Sequence, residues 1–345
     1  MPPPLIDYRE HDRQIWEEEF EDFVPRHIFN AHIHMLNREA MPPDSPFNKR
    51  PDADLSTLRE WMSTLYPGRE AHFLVLGLPA PGIDVDAHNT FVDDQIARDP
   101  HSRANRLVTP VCKLERIEED IRTRRFIGLK PYRFFSVTGD IAQCRIHEFL
   151  THEQMELAND RGLWVTMHLS RYHGCADEHN LKDLEEYTTR RYPKIRWILA
   201  HCARSFTYWP IREAVDHLRD LPNIWYDLSA VQDPLPFVTL FQKEKIERLF
   251  YGDDGIGAMN FHGRLVSLGR AWQGLYADEA GLEFPHCDGR PILCVYEQLL
   301  AMKQAAEIAG LSRDDLEKIF WHNARRALGI EEETSAPRMT EAERG

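Results

Sequence analysis

Residues 163–201 read LWVTMHLSRYHGCADEHNLKDLEEYTTRRYPKIRWILAH. Two short apolar runs, LWVTMHL (163–169) and IRWILAH (195–201), flank a polar stretch with helical spacing over Leu181–Arg191. The runs are apolar throughout rather than alternating, as in strands buried on both faces. Strand, helix and strand in that order predict a parallel βαβ unit. A histidine stands at or next to the end of each run, His168 and His201, so a polar group closes a segment that otherwise excludes water.

The unit repeats in both directions. HIFNAHIH (27–34), HFLVLGLP (72–79), RLVTPVC (106–112) and FIGLKPY (126–132) precede it, and NIWYDLS (223–229) and RLFYGDD (248–254) follow. Helical spacing falls between them at Leu55–Leu65, Asn89–Arg98, Leu114–Arg124, Ile146–Arg161, Trp209–Leu218 and Pro236–Glu247. Pro291–Ala309 and Asp314–Leu328 complete the set, the last with Ser312 before it and Gly329 after it as caps. Eight alternations predict a single (β/α)8 TIM barrel over 27–330. An acidic N-terminal extension, 1–26, precedes it, and a polar flexible tail, 331–345, follows. Met35–Asp54 and Gly255–Arg290 are longer than connections need, and both belong at the C-terminal mouth, where barrel enzymes carry their lids.

Composition narrows the function. Lys and Arg number 42 against 56 Asp and Glu, a net charge of −14, which argues against a nucleic-acid binder. No basic-then-apolar leader opens the chain and no run is long enough to span a bilayer. Six cysteines without CxxC spacing read as reduced thiols. A cytoplasmic protein with a small-molecule substrate is expected, with a homodimer as the base-rate assembly.

The chemistry sits at strand ends. His32 and His34 end the first strand, Lys130 the fourth, His168 the fifth, His201 the sixth, and Asp253 and Asp254 the eighth. In a parallel barrel these ends converge on one mouth. Residues two apart on a strand share a face, so His32 and His34 can grip one ion. With His168 and one of the two aspartates they form an N3O set suited to Zn2+ and tolerable for Mn2+, Fe2+ or Co2+. Arg133, Arg171 and Arg204 follow strands four to six, and a guanidinium there suits a carboxylate; Arg133 and Arg171 are the preferred pair. Cys202, beside His201, reads as a buried structural thiol, and His173 and His179 as solvated loop residues.

The chain resembles the amidohydrolase superfamily, specifically its amidohydrolase-2 branch of metal-dependent hydrolases and decarboxylases. The matching stretches are FNAHIHM, GLKPY, VTMHLS, ILAHCARS, YGDDG and NARRALGI, over residues 29–330. The resemblance implies His32, His34, His168 and a strand-8 aspartate as ligands, with His201 as the acid/base or substrate-polarising histidine. Aligning on Gly252 makes that aspartate Asp254, with Asp253 in a slot usually held by a small residue. Asn30 stands where the family often has aspartate. Lys130 is expected to meet substrate beside one divalent ion; the alternative is a binuclear site bridged by carboxylated Lys130.

Two reactions follow. In the first, the protein is a hydrolase acting through metal-activated water on a small carboxylate-bearing amide, lactone or related acyl compound, with Asp254 and His201 catalytic. In the second, it is a non-oxidative decarboxylase of an unsaturated or aromatic acid.

Overall fold

A computed structural model of the chain describes residues 6–256, 259–277, 285–287 and 289–330. The predicted tail, 331–345, and parts of the predicted loop after strand 8 lie outside them. Eight parallel strands run in sequence order around a barrel: β1 His27–His34, β2 Glu70–Leu76, β3 Arg103–Leu107, β4 Phe126–Lys130, β5 Trp164–Met167, β6 Arg196–Leu199, β7 Ile224–Asp227 and β8 Leu249–Phe250. The amide of Ala31 bonds the carbonyl of Tyr251 at 2.8 Å, and that of Asp254 bonds His32 at 2.9 Å. With the Ile33–Gly255 bridge these close β8 onto β1.

The outer helices follow from the sequence spacing. Leu55–Leu65 starts where Asp54 accepts the Thr57 amide at 2.9 Å, which satisfies a donor the helix cannot. It buries Leu55, Leu58, Trp61, Met62 and Leu65 on one face against the sheet. The barrel interior holds a separate cluster that includes Phe29, Ala31, Leu74, Leu76, Trp164, Ile198 and Phe250. The N-terminal segment adds Trp16, Phe20, Phe23 and Val24 to the layer between sheet and helices.

Boundaries differ from expectation in two instructive places. β3 lies at 103–107 rather than 106–112 because its buried polar residues are paired. Arg106 meets Asp120 at 2.8 Å and Asp86 at 3.1 Å, and Asn105 donates to Thr166 at 2.9 Å. β8 ends at Phe250 rather than 254, because the chain turns to send Asp253 and Asp254 apart. One element went unforeseen: the antiparallel hairpin β9 Gly263–Leu268 and β10 Ala271–Tyr276, inside the long segment after β8.

Candidate metal centre

Strand alternation alone would not place His32 and His34 inside the barrel. Phe29 and Ala31 already face in, so His32 should face out. A register shift in the β1–β2 ladder between Asn30 and Ile33 resets the alternation, and β-bulges re-aim side chains in this way. Asn30 holds the bulge: its side-chain oxygen accepts the His32 amide at 3.2 Å and the Asp253 amide at 3.3 Å. An amide does this without burying a charge, which accounts for Asn30 where the family often has aspartate. Gly252 is required beside it, since a Cβ there would lie 2.8 Å from the His32 Cβ.

Asp254 adopts φ +52° and points at the histidines; its Oδ1 lies 3.4 Å from Nε2 of both His32 and His34. Asp253 turns the other way. It accepts from Trp61 Nε1 at 3.0 Å, the Tyr66 hydroxyl at 3.2 Å and the Gly255 amide at 2.9 Å, and burial pushes its pKa up. The structure therefore brings Asp254, and not Asp253, to the histidine pair.

Each of the four histidines has its Nδ1 against an acceptor. For His32 it is Asp227 at 2.8 Å, and for His34 the Leu76 carbonyl at 3.0 Å. For His168 it is the Leu169 carbonyl at 2.9 Å, and for His201 the Ser229 carbonyl at 3.1 Å. A carbonyl or carboxylate only accepts, so Nδ1 carries a proton, and in the neutral imidazole Nε2 is the free lone pair. Burial, foremost, holds His201 down to about 4 and His168 well below its ordinary value. The 3.4 Å contacts set Asp254 Oδ1 against Nε2 of both β1 histidines. Two ligands of one tetrahedral zinc lie about 3.3 Å apart, so the donor set fits a divalent cation. His32, His34 and Asp254 offer donor atoms within 4.8 Å of one another, as do His32, His201 and Asp227. His168 stands outside both groups, its ring 4.9 Å from that of His201.

Asp227, at the end of β7, is the residue sequence reasoning missed. It is fully buried, orients His32, and accepts the His201 amide at 3.2 Å and the Ser229 hydroxyl. The signal was present, since NIWYDLS also ends an apolar run on a polar group. Burial alone would raise its carboxyl, but His32, His201 and Ser229 hold it well below the usual range. In Asp254, His32, His34 and His201 likewise outweigh burial.

His201 sits in unusual backbone. His201, Cys202, Ala203 and Arg204 all have φ between +50° and +61°, one turn of left-handed helix that costs roughly 1–2 kcal/mol per residue. Cys202 is buried there as an inert thiol, its pKa raised well above the ordinary value by burial.

The cationic residues divide. Lys130 is fully buried and its Nζ has no hydrogen-bond partner among the described residues. Burial lowers it to about 8 against the pull of Asp254 and Asp227. The charges of Arg204, Arg133 and Lys130 all act on His168. Arg171, preferred from sequence over Arg204, is committed elsewhere: its Nε meets Asp177 at 2.6 Å and its Nη1 the Gln143 carbonyl at 2.6 Å. Arg204 instead donates from Nη1 to the Arg171 carbonyl in the loop after β5. His173 is exposed, as expected of a loop histidine.

A parallel barrel with bare histidine and carboxylate donors gathered at its C-terminal mouth is the frame of a metal-dependent enzyme. The Amidohydrolase family model Amidohydro_2 matches residues 31–330, and the chain belongs to that family. No curated protein matches it. Solved structures share the fold at low identity. One is assigned as a 2-pyrone-4,6-dicarboxylic acid hydrolase from Pseudomonas putida, with TM-score 0.56, 14% identity, and 90% of this chain and 100% of that one covered. The 5-carboxyvanillate decarboxylase of Sphingomonas paucimobilis gives 0.53 at 13%, covering 89% and 100%. A dihydroxybenzoic acid decarboxylase from Polaromonas, with bound manganese and 2-nitroresorcinol, gives 0.53 at 14%, covering 89% and 98%. Among the described residues no helix is long and apolar enough to cross a membrane.

Proposed function

We propose that this enzyme is a metal-dependent hydrolase of a small carboxylate-bearing amide, lactone or related acyl substrate. The observation that carries the reading is the convergence of Asp254 Oδ1 on Nε2 of both β1 imidazoles, each 3.4 Å away. His32, His34 and Asp254 would hold the ion, with His168 and His201 facing it; zinc suits this N/O set, and manganese, bound in the Polaromonas relative, is the alternative. When bound, a divalent ion supplies Lewis acidity to a carbonyl and to water.

The chain's own groups do the rest. Lys130 and Arg133 receive the substrate carboxylate; the Lys130 ammonium, with no hydrogen-bond partner among the described residues, gains most from an anion. Water oxygen bonds the carbonyl carbon, the bond to the leaving oxygen or nitrogen breaks, and Asp254 carries the proton from water to the leaving atom. His201 has its Nδ1–H on Ser229 and offers a lone pair, so it holds the water or takes a proton. The six unpaired cysteines fit a reducing cytoplasm.

Lys130 also favours the second reading. In a decarboxylation the C–C bond to the carboxyl breaks, CO2 leaves, and the electron pair takes a proton, which a buried ammonium at the site can give. Turnover of a panel of lactones, amides and aromatic acids in 18O water and in D2O separates the two. Hydrolysis places one 18O in the product carboxyl. Release of CO2 with solvent deuterium on carbon replaces the hydrolase reading by the decarboxylase one.

A further inference from the structure

Ser229 lies two residues beyond β7 and is fully buried. The chemistry above gives its hydroxyl no role, yet that hydroxyl touches three side chains of the centre. It donates to Asp227 Oδ1, and its oxygen lies 3.2 Å from His32 Nδ1 and 3.0 Å from His201 Nδ1. A hydroxyl has one proton and two lone pairs. The proton goes to Asp227, since a carboxylate only accepts. The two lone pairs are left for the two Nδ1–H groups, so every hydrogen-bonding position of the hydroxyl is used.

Neither imidazole needs this oxygen to satisfy its N–H. His32 already donates to Asp227 Oδ2 at 2.8 Å, and His201 to the Ser229 carbonyl at 3.1 Å. What the hydroxyl adds is a link between the two rings, which lie 4.9 Å apart, centroid to centroid, and 32° from parallel. His201 has particular use for one. Its backbone belongs to the left-handed turn, so no regular strand or helix geometry sets where its ring points.

The loop that carries the hydroxyl is anchored independently of the rings. The Ser229 amide donates to Asp227 Oδ1 at 3.0 Å. Ala230, at φ +58°, donates its amide to Gln298 Oε1 at 2.7 Å, and Gln298 Nε2 donates to the Gly252 carbonyl at 2.7 Å. Gln298 therefore ties the end of β7 to the chain just past β8, beside Asp254. With Nδ1 on Ser229, the Nε2 of each ring is turned away from the serine, and that of His32 meets Asp254 at 3.4 Å.

We propose that Ser229 is a positioning residue, whose hydroxyl registers the acid/base histidine, His201, against the ligand histidine, His32. A network satisfied at every member holds its parts more rigidly than separate pairs do. The inference rests on the hydrolase reading for the task of His201 alone; the linkage of the rings stands apart from it.

Histidine-selective 15N NMR of the zinc-loaded protein tests the linkage. In the wild type, one protected hydroxyl proton should show cross-peaks to the Nδ1–H of both His32 and His201. In Ser229→Ala those two Nδ1–H resonances should shift. The resonances of His34 and His168, which lie on the Leu76 and Leu169 carbonyls, should stay in place. Metal content should remain near one equivalent while kcat falls about tenfold or more at a KM changed by less than about threefold. Ser229→Thr, which keeps the hydroxyl, should recover most of the rate. Should the variants fail to fold, the wild-type cross-peaks decide alone. Cross-peaks to fewer than two rings, equal shifts at all four histidines, loss of the metal in Ser229→Ala, or an unchanged kcat overturns the inference and leaves the hydrolase reading standing. Cross-peaks to both rings in a wild-type protein that hydrolyses no acyl substrate does the reverse.

Discussion

Asp253 and Asp254 are adjacent carboxylates with opposite fates, and the difference is one of orientation. Asp254 faces Nε2 of His32 and His34, whereas Asp253 is surrounded by neutral donors. Asp254→Asn is expected to abolish tight metal binding while leaving the fold intact. Asp253→Asn should keep the metal but lose about 1–3 kcal/mol of stability, because an amide NH2 would oppose the Trp61 and Tyr66 donors or the Gly255 amide. Metal analysis and urea unfolding of both variants check this. Lys130 sets a pH dependence: below about 8 it is charged and holds the substrate carboxylate, and as pH rises through about 8 that charge is lost. KM should therefore climb on the basic side, and Lys130→Met should raise KM at neutral pH and remove that limb from the profile. Most of these residues were legible as polar ends of apolar runs. Their orientation was not, since it depends on Asn30, which reads as one more strand residue.

Elements carry the orientation. The β1 bulge, the β8 turn and the left-handed turn at 201–204 each place a functional side chain, and all three depart from regular geometry. Alternation and helical spacing read the regular parts, so Leu55–Leu65 was found to the residue. They do not read a bulge, whose cause is a side chain bonding to two strands at once. The hairpin escaped notice because its strands are half exposed and carry no continuous apolar run. Ala203→Gly should raise stability by about 1 kcal/mol, because glycine meets φ +58° without strain. Gly252→Ala should cost about 1–3 kcal/mol and weaken metal binding, since the added methyl displaces His32. Chemical unfolding measures both.

At the scale of the molecule, the barrel separates two layers of function. Apolar residues fill the interior and the shell under the helices, while charge is gathered at the mouth. Buried histidines make the fold sensitive to acid. His88 is held at about 3 and His201 at about 4, both chiefly by burial. The unfolded chain takes up these protons near 6.5 and the folded one does not. Stability of the metal-free protein is therefore full above 6.5 and falls as pH drops toward 4, at roughly 1.4 kcal/mol per pKa unit for each group. Denaturant midpoints across that range should show the fall, and His88→Gln should make it shallower. The net charge of −14 says what the surface repels; at the site, Lys130, Arg133 and Arg204 act on His168 against it.

The central claim is that bare imidazole and carboxylate donors at the mouth hold one catalytic divalent ion. Its most direct test is the metal content of protein purified without added metal, measured alongside turnover before and after chelation. The expected result is close to one equivalent per chain, activity lost on chelation and restored by Zn2+ or Mn2+, and no metal in His34→Ala or Asp254→Asn. Full turnover in metal-free protein, or unchanged metal content in both variants, would contradict it.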